Sequence, residues 1–182
     1  MTAGTPRLTV PPDYPDPAAC TGNRRLLAAI VSGAAPPPPC VTRFALPRPG
    51  VWSHGTISGT VRPTETETWA PGVVFGGYLA CLVDQFAGLV MLSVLPDGAT
   101  FLTAGMSLDL HAPMRPDEAT ISARVVRLAV REATVEVVLD QSGRAVCRAT
   151  VWQVVRRPAA RRAGPGGGAG GGADGGPDGG AG

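Results

Sequence analysis

Two features of this chain have residue types and spacing that could do chemistry: the pair Gly76-Gly77, and Asp84 seven residues after the second glycine. The glycines come just before a run from Tyr78 to Leu95 in which Leu79, Leu82, Val83, Phe86, Leu89, Val90, Leu92 and Val94 cover every helical azimuth. Free backbone N–H groups at the start of such a helix favour negative charge, and glycine lets a ligand oxygen come close to them. Asp84 is the one charge in the run. Deep burial of a carboxylate costs several kcal/mol unless it is hydrogen-bonded or placed at an opening to solvent, so its presence calls for a reason. An oxyanion needs fixed N–H donors, and a water or an acyl carbon needs a carboxylate beside it. The other reading makes Asp84 the ion-pair partner of Arg124 or Arg127 on a neighbouring strand. His54 and His111 read as exposed strand residues, since neither has a partner at motif spacing.

The elements that must position these groups follow from the pattern. The chain has 182 residues and net charge +2, with no lysine anywhere, which removes Schiff-base and P-loop chemistry. Its arginines are scattered and its aromatics few, so no nucleic-acid partner is expected. The four cysteines, Cys20, Cys40, Cys81 and Cys147, have no C-x-x-C spacing, which predicts reduced, packed thiols in a cytoplasmic protein and no metal site. No run approaches the ~20 apolar residues of a bilayer span, so no membrane partner is expected. Residues 1–22 and the Gly-rich 158–182 read as disordered, leaving a folded domain over 23–157. Arg24-Arg25 and the apolar run after them have some likeness to an export signal, but an amphipathic helix ended by Pro36 to Pro39 is the preferred reading.

Along that domain, Cys40 to Leu46 is expected as a short strand. Val51 to Val61 is expected as another, bent at Gly55 and Gly59. After a polar connection and the apolar helix, the period changes to two. Ala104, Met106, Leu108 and Leu110 alternate with polar residues or glycine, and Thr120 to Val130 slips at Val125-Val126 as a bulge would. Thr134 to Leu139 and Ala145 to Val155 complete an antiparallel meander joined by Asp140-Gln141-Ser142-Gly143. The fold class is therefore α+β, a curled antiparallel sheet wrapped around one buried central helix.

Gly76-Gly77 with Asp84, the segment Thr103 to Pro113, and the stretch Asp140 to Ala149 together resemble the hotdog-fold thioesterase superfamily, specifically its phenylacetate-pathway-type branch with a His-Gly-Gly then Asp signature. The resemblance covers roughly Thr56 to Val155. It implies hydrolysis of an acyl-CoA or acyl-carrier-protein thioester, with no cofactor beyond coenzyme A as part of the substrate. It also implies a homodimer or homotetramer whose sites lie between subunits. In such a site the Gly76 N–H polarises the thioester carbonyl, Asp84 is the nucleophile or general base, and Thr103 helps hold the attacking water. Phe75 stands where the family has histidine and Trp69 where it commonly has asparagine, so the substrate-binding residues Trp69, Phe75 and Gly77 make a drier pocket with fewer polar contacts. The alternative this raises is a non-catalytic hotdog protein that binds an acyl ligand or product. A dehydratase or hydratase ranks behind both, because no histidine lies near Asp84 in sequence.

Overall fold

The structure is a computed structural model that describes residues 22–156. The segments 1–21 and 157–182, and with them the expected disordered ends, lie outside the described residues. Gly22 lies inside them and opens the first helix, α1 (Gly22–Ser32). Leu27 and Ala28 bury against the core, so α1 is the amphipathic helix that the sequence suggests. Its first turn is tied to the end of the central helix: Asn23 Nδ2 donates to Pro96 O at 2.9 Å and Arg24 Nε to Ser93 O at 3.1 Å.

The expected strand at Cys40–Leu46 is instead a short helix, α2 (Pro39–Arg43). Proline at its first positions already holds the helical φ and has no N–H to lose there, which outweighs the strand preference of Val41 and Thr42. The expected strand from Val51 to Val61 is split into β1 (Val51–Ser53) and β2 (Thr56–Val61) by a turn at His54-Gly55, with Gly55 at φ 79°. A capping box, Thr64 with Glu67, starts a single 3-10 turn. A small ribbon, β3 (Thr68–Ala70) with β4 (Val73–Val74), then leads into the central helix α3 (Gly76–Val94).

After α3 come β5 (Thr100–Leu110), β6 (Ala119–Leu128), β7 (Glu132–Gln141) and β8 (Arg144–Arg156). The main sheet is antiparallel in the order β1-β2-β6-β7-β8-β5, and α3 packs against its strands from one edge to the other. Inward residues alternate as a sheet with one buried face requires: Ala133, Val135, Val137 and Leu139 on β7, then Cys147, Ala149, Val151 and Val155 on β8. The expected bulge on β6 is present, Val126 being the extra residue between Val125 and Arg127.

Helix α3 is 19 residues long with mean hydropathy 1.6, so by length and composition it could cross a membrane, contrary to the sequence expectation that no run comes near this. In this fold its Leu82, Val83, Phe86, Ala87, Val90 and Met91 are buried against the sheet. The helix does have a wetter side. Gly77, Cys81, Gln85 and Gly88 are only half-buried and Asp84 is exposed, because none of the described strands covers that face.

Candidate active site

Asp84 is not the deeply buried carboxylate that an all-round apolar helix suggests; it stands exposed on the wetter side of α3. Nor is it an ion-pair partner of the arginines considered for it. Arg124 pairs with Glu136 and Arg127 with Glu132, each at 2.8 Å on the sheet surface. What orients Asp84 is Thr103, whose Oγ1 donates to Asp84 Oδ1 at 2.7 Å.

That contact depends on a break in β5. Strict alternation would put Thr103 on the face of Ser107 and Asp109, away from the helix. The register with β8 shifts between Thr103 and Gly105, leaving Ala104 as an extra residue, and the bulge turns Thr103 inward opposite Gln153. Gln153 is almost fully buried and its Nε2 donates to Thr103 Oγ1 at 3.2 Å. The hydroxyl thus accepts from the amide and spends its single proton on the carboxylate, a chain running Gln153 to Thr103 to Asp84. Gln153 is a residue that sequence reasoning missed. Its signal was a long polar side chain at an inward position of β8, between Val151 and Val155.

At the start of α3, Phe75 is the N-cap residue, with no side-chain cap of its own. Tyr78 N and Leu79 N both bond back to Phe75 O, at 2.9 and 3.4 Å, whereas the N–H groups of Gly76 and Gly77 precede any intrahelical acceptor. The Phe75 ring folds over Gly77 so closely that a Cβ there would lie 2.3 Å from Phe75 Cε1. Any larger residue at 77 would make the Phe75 ring move from this position. Phe75 is half-exposed and stacks with Trp69, which is 81% exposed, at a centroid distance of 6.3 Å and an interplanar angle of 29°. Both rings line a cavity of about 480 Å3 together with Arg43, Glu67, Tyr78 and Cys81.

A second cavity, of about 440 Å3, lies further along the same face of α3, and Asp84 is in its wall. Phe44 and Cys81 line both cavities and so stand between them. Burial, then the charge of Asp84, then Cys40 raise the Cys81 thiol, which stays protonated near neutrality. Tyr78 is pushed up to about 12 by burial and by Glu67, and its hydroxyl donates to Ala45 O at 3.2 Å.

Neither histidine joins Asp84. His54 sits in the β1–β2 turn, where its Nδ1 lies 3.2 Å from Ser93 O at the far end of α3, and His111 is exposed just past β5. Among the described residues no group of three or more His, Cys, Asp or Glu side chains could hold a metal ion.

Residues 65–154 match the family model of the acyl-CoA thioesterase N-terminal domain. Among solved structures, the chain is similar to a phenylacetic acid degradation-related protein of Ralstonia eutropha JMP134, at 22% identity and TM-score 0.64 over 70% of this chain and 98% of that one. It is similar to the thioesterase HI1161 of Haemophilus influenzae at 14% identity and TM-score 0.64, over 75% of this chain and 94% of that one. A hypothetical thioesterase protein of Streptococcus pneumoniae TIGR4, solved with coenzyme A, is 27% identical at TM-score 0.56, over 60% of this chain and 84% of that one. A search of the curated proteins finds no match.

Proposed function

Because this chain is a hotdog-fold member of the thioesterase superfamily, we propose that it hydrolyses an acyl-CoA or acyl-carrier-protein thioester, with Asp84 as nucleophile or general base. The observation that carries this reading is the exposed Asp84 carboxylate, held by Thr103 Oγ1 at 2.7 Å beside an open apolar cavity. In the general-base form, Asp84 takes a proton from water as the oxygen attacks the acyl carbon. The carbonyl electrons move onto oxygen and are held by the Gly76 N–H. When they return, the C–S bond breaks, the thiolate leaves and takes up a proton, and the carboxylic acid is released.

One chain cannot bring both groups to a single carbonyl. Gly76 and Asp84 are eight residues apart on one continuous helix, about 12 Å along its axis. The reading therefore includes a dimer in which the Gly76 N–H of one protomer faces the partner subunit's Asp84. Two features support that arrangement: Asp84 is exposed on a side of α3 that none of the described strands covers, and among the described strands β5 leaves an eleven-residue edge unpaired at the end of the sheet. The coenzyme A in the pneumococcal structure supports coenzyme A as the carrier.

A second reading, an acyl-binding protein without turnover, is favoured by one observation, the stacked Trp69 and Phe75 rings beside the helix N-terminus where polar groups would contact a thioester. Hydrolysis assays on acyl-CoAs of several lengths, with wild-type protein and Asp84→Asn, separate the two. Turnover that falls at least about 100-fold in the variant supports the enzyme. Wild-type protein that binds these thioesters and hydrolyses none of them leaves the binding role.

A further inference from the structure

We infer that the acyl group taken by this site is an aliphatic chain of medium length, and that Gly88 sets that length by keeping the cavity beyond Asp84 open. The inference rests on the thioesterase reading and deepens it. Asp84, Gly88 and Leu92 follow one another at four-residue steps, so they lie on one face of α3 and span about 12 Å. All three line the 440 Å3 cavity, whose opposite wall is the segment from Pro37 to Leu46. The only charged side chains in its lining are Asp84 and Arg48, and Arg48 is exposed, its guanidinium folded over Gly33. Gln85 is the one amide in the lining, and beyond it a chain entering at Asp84 meets mainly apolar side chains, where each buried methylene tightens binding roughly fourfold.

At Gly88 the helix backbone and Phe101 are in close contact beside that course. A Cβ there would lie 3.3 Å from Phe101 Cε2, so Phe101 already reaches the helix backbone, and any longer side chain at 88 would have to enter the cavity or displace the ring. An acetyl group would stop near Asp84 and leave Gly88 and Leu92 untouched. A decanoyl chain would pass both.

The test compares wild-type protein with Gly88→Met and Gly88→Ala, using acetyl-, hexanoyl-, decanoyl- and palmitoyl-CoA. Hydrolysis is measured as kcat/KM, and binding by calorimetry in an Asp84→Asn background so that the thioesters stay intact. Wild-type protein should bind decanoyl-CoA at least tenfold more tightly than acetyl-CoA. Gly88→Met should remove that increment while leaving acetyl-CoA within about twofold, and Gly88→Ala should shift it the same way by less. Melting temperature shows whether each variant is folded, and Gly88→Ala carries the comparison if the methionine variant is not. Equal affinity for all lengths in wild-type protein, or an equal loss at all lengths in a folded Gly88 variant, overturns the inference even if hydrolysis is robust. A length increment without turnover on any thioester would instead overturn the hydrolytic reading and leave the acyl pocket standing.

Discussion

Thr103 Oγ1 donates a 2.7 Å hydrogen bond to Asp84 Oδ1, joining the edge strand β5 to the wetter side of α3, and the same oxygen accepts from the buried Gln153 amide. Thr103→Val keeps the shape and removes both bonds. Turnover should fall about tenfold, and stability by about 1 kcal/mol because Gln153 Nε2 loses its acceptor in a buried place. Thr103→Ser keeps the hydroxyl and should retain most of both. Steady-state kinetics and thermal melts of the two variants check this; a loss in serine with valine close to wild type would point to the methyl group instead.

Asp84→Asn separates chemistry from structure. Since Asp84 is exposed and the candidate arginines pair elsewhere, no buried cation is orphaned by the change. Stability should stay within about 0.5 kcal/mol of wild type while turnover collapses. A large loss in denaturant titration would show that the carboxylate has a structural partner beyond Thr103.

How much of this was legible depends on the residue. The central helix, the split at Val125-Val126 and the meander follow from period and turn chemistry, which are local properties. The bulge that turns Thr103 inward was legible as a condition: the hydroxyl could reach the helix only from a strand end or beside Gly105. The exposure of Asp84 was not, because a helical wheel shows where apolar side chains are, not which sides a curled sheet leaves uncovered. The small residues on that side, Gly77, Cys81 and Gly88, were the available signal. The helix at Pro39–Arg43 runs against the strand preference of Val41 and Thr42, because a proline placed at a helix start is the stronger local signal.

In solution the protein should be a dimer or a multiple of one. Leu102 and Leu110 on β5 are 58% and 55% exposed, and Trp69 and Phe75 lie open beside the helix start. An eleven-residue strand with one free edge and apolar ends is a pairing surface. Light scattering at low micromolar concentration measures it, and a well-folded monomer at that concentration would contradict the shared site.

Alkaline pH offers an unusually clean test, since the chain has no lysine to titrate there. Burial raises Cys147 from 9.0 to about 11 and Tyr78 from 10.0 to about 12. Both hold their protons more tightly when folded, so their contribution is complete below pH 9 and 10 and is lost as pH climbs towards 11 and 12. Melting temperature should therefore decline from about pH 9 upward, and Tyr78→Phe should flatten the upper part of that decline. A flat profile to pH 11 in wild-type protein would contradict these shifts.

The strand order also orders folding in time. Strands β6, β7 and β8 neighbour one another in sequence and in space, whereas β2 must wait for β6 and β5 for β8, across the whole of α3 or the whole meander. Loop-closure entropy makes the local hairpins the cheaper first step. We expect residues 119–156 to form the early nucleus, and the pairing that sets Thr103 against Asp84 to come late. Substitutions in β7 should then slow refolding, while substitutions in β5 should mainly speed unfolding, so that the groups proposed for chemistry are the first to part when the protein begins to open.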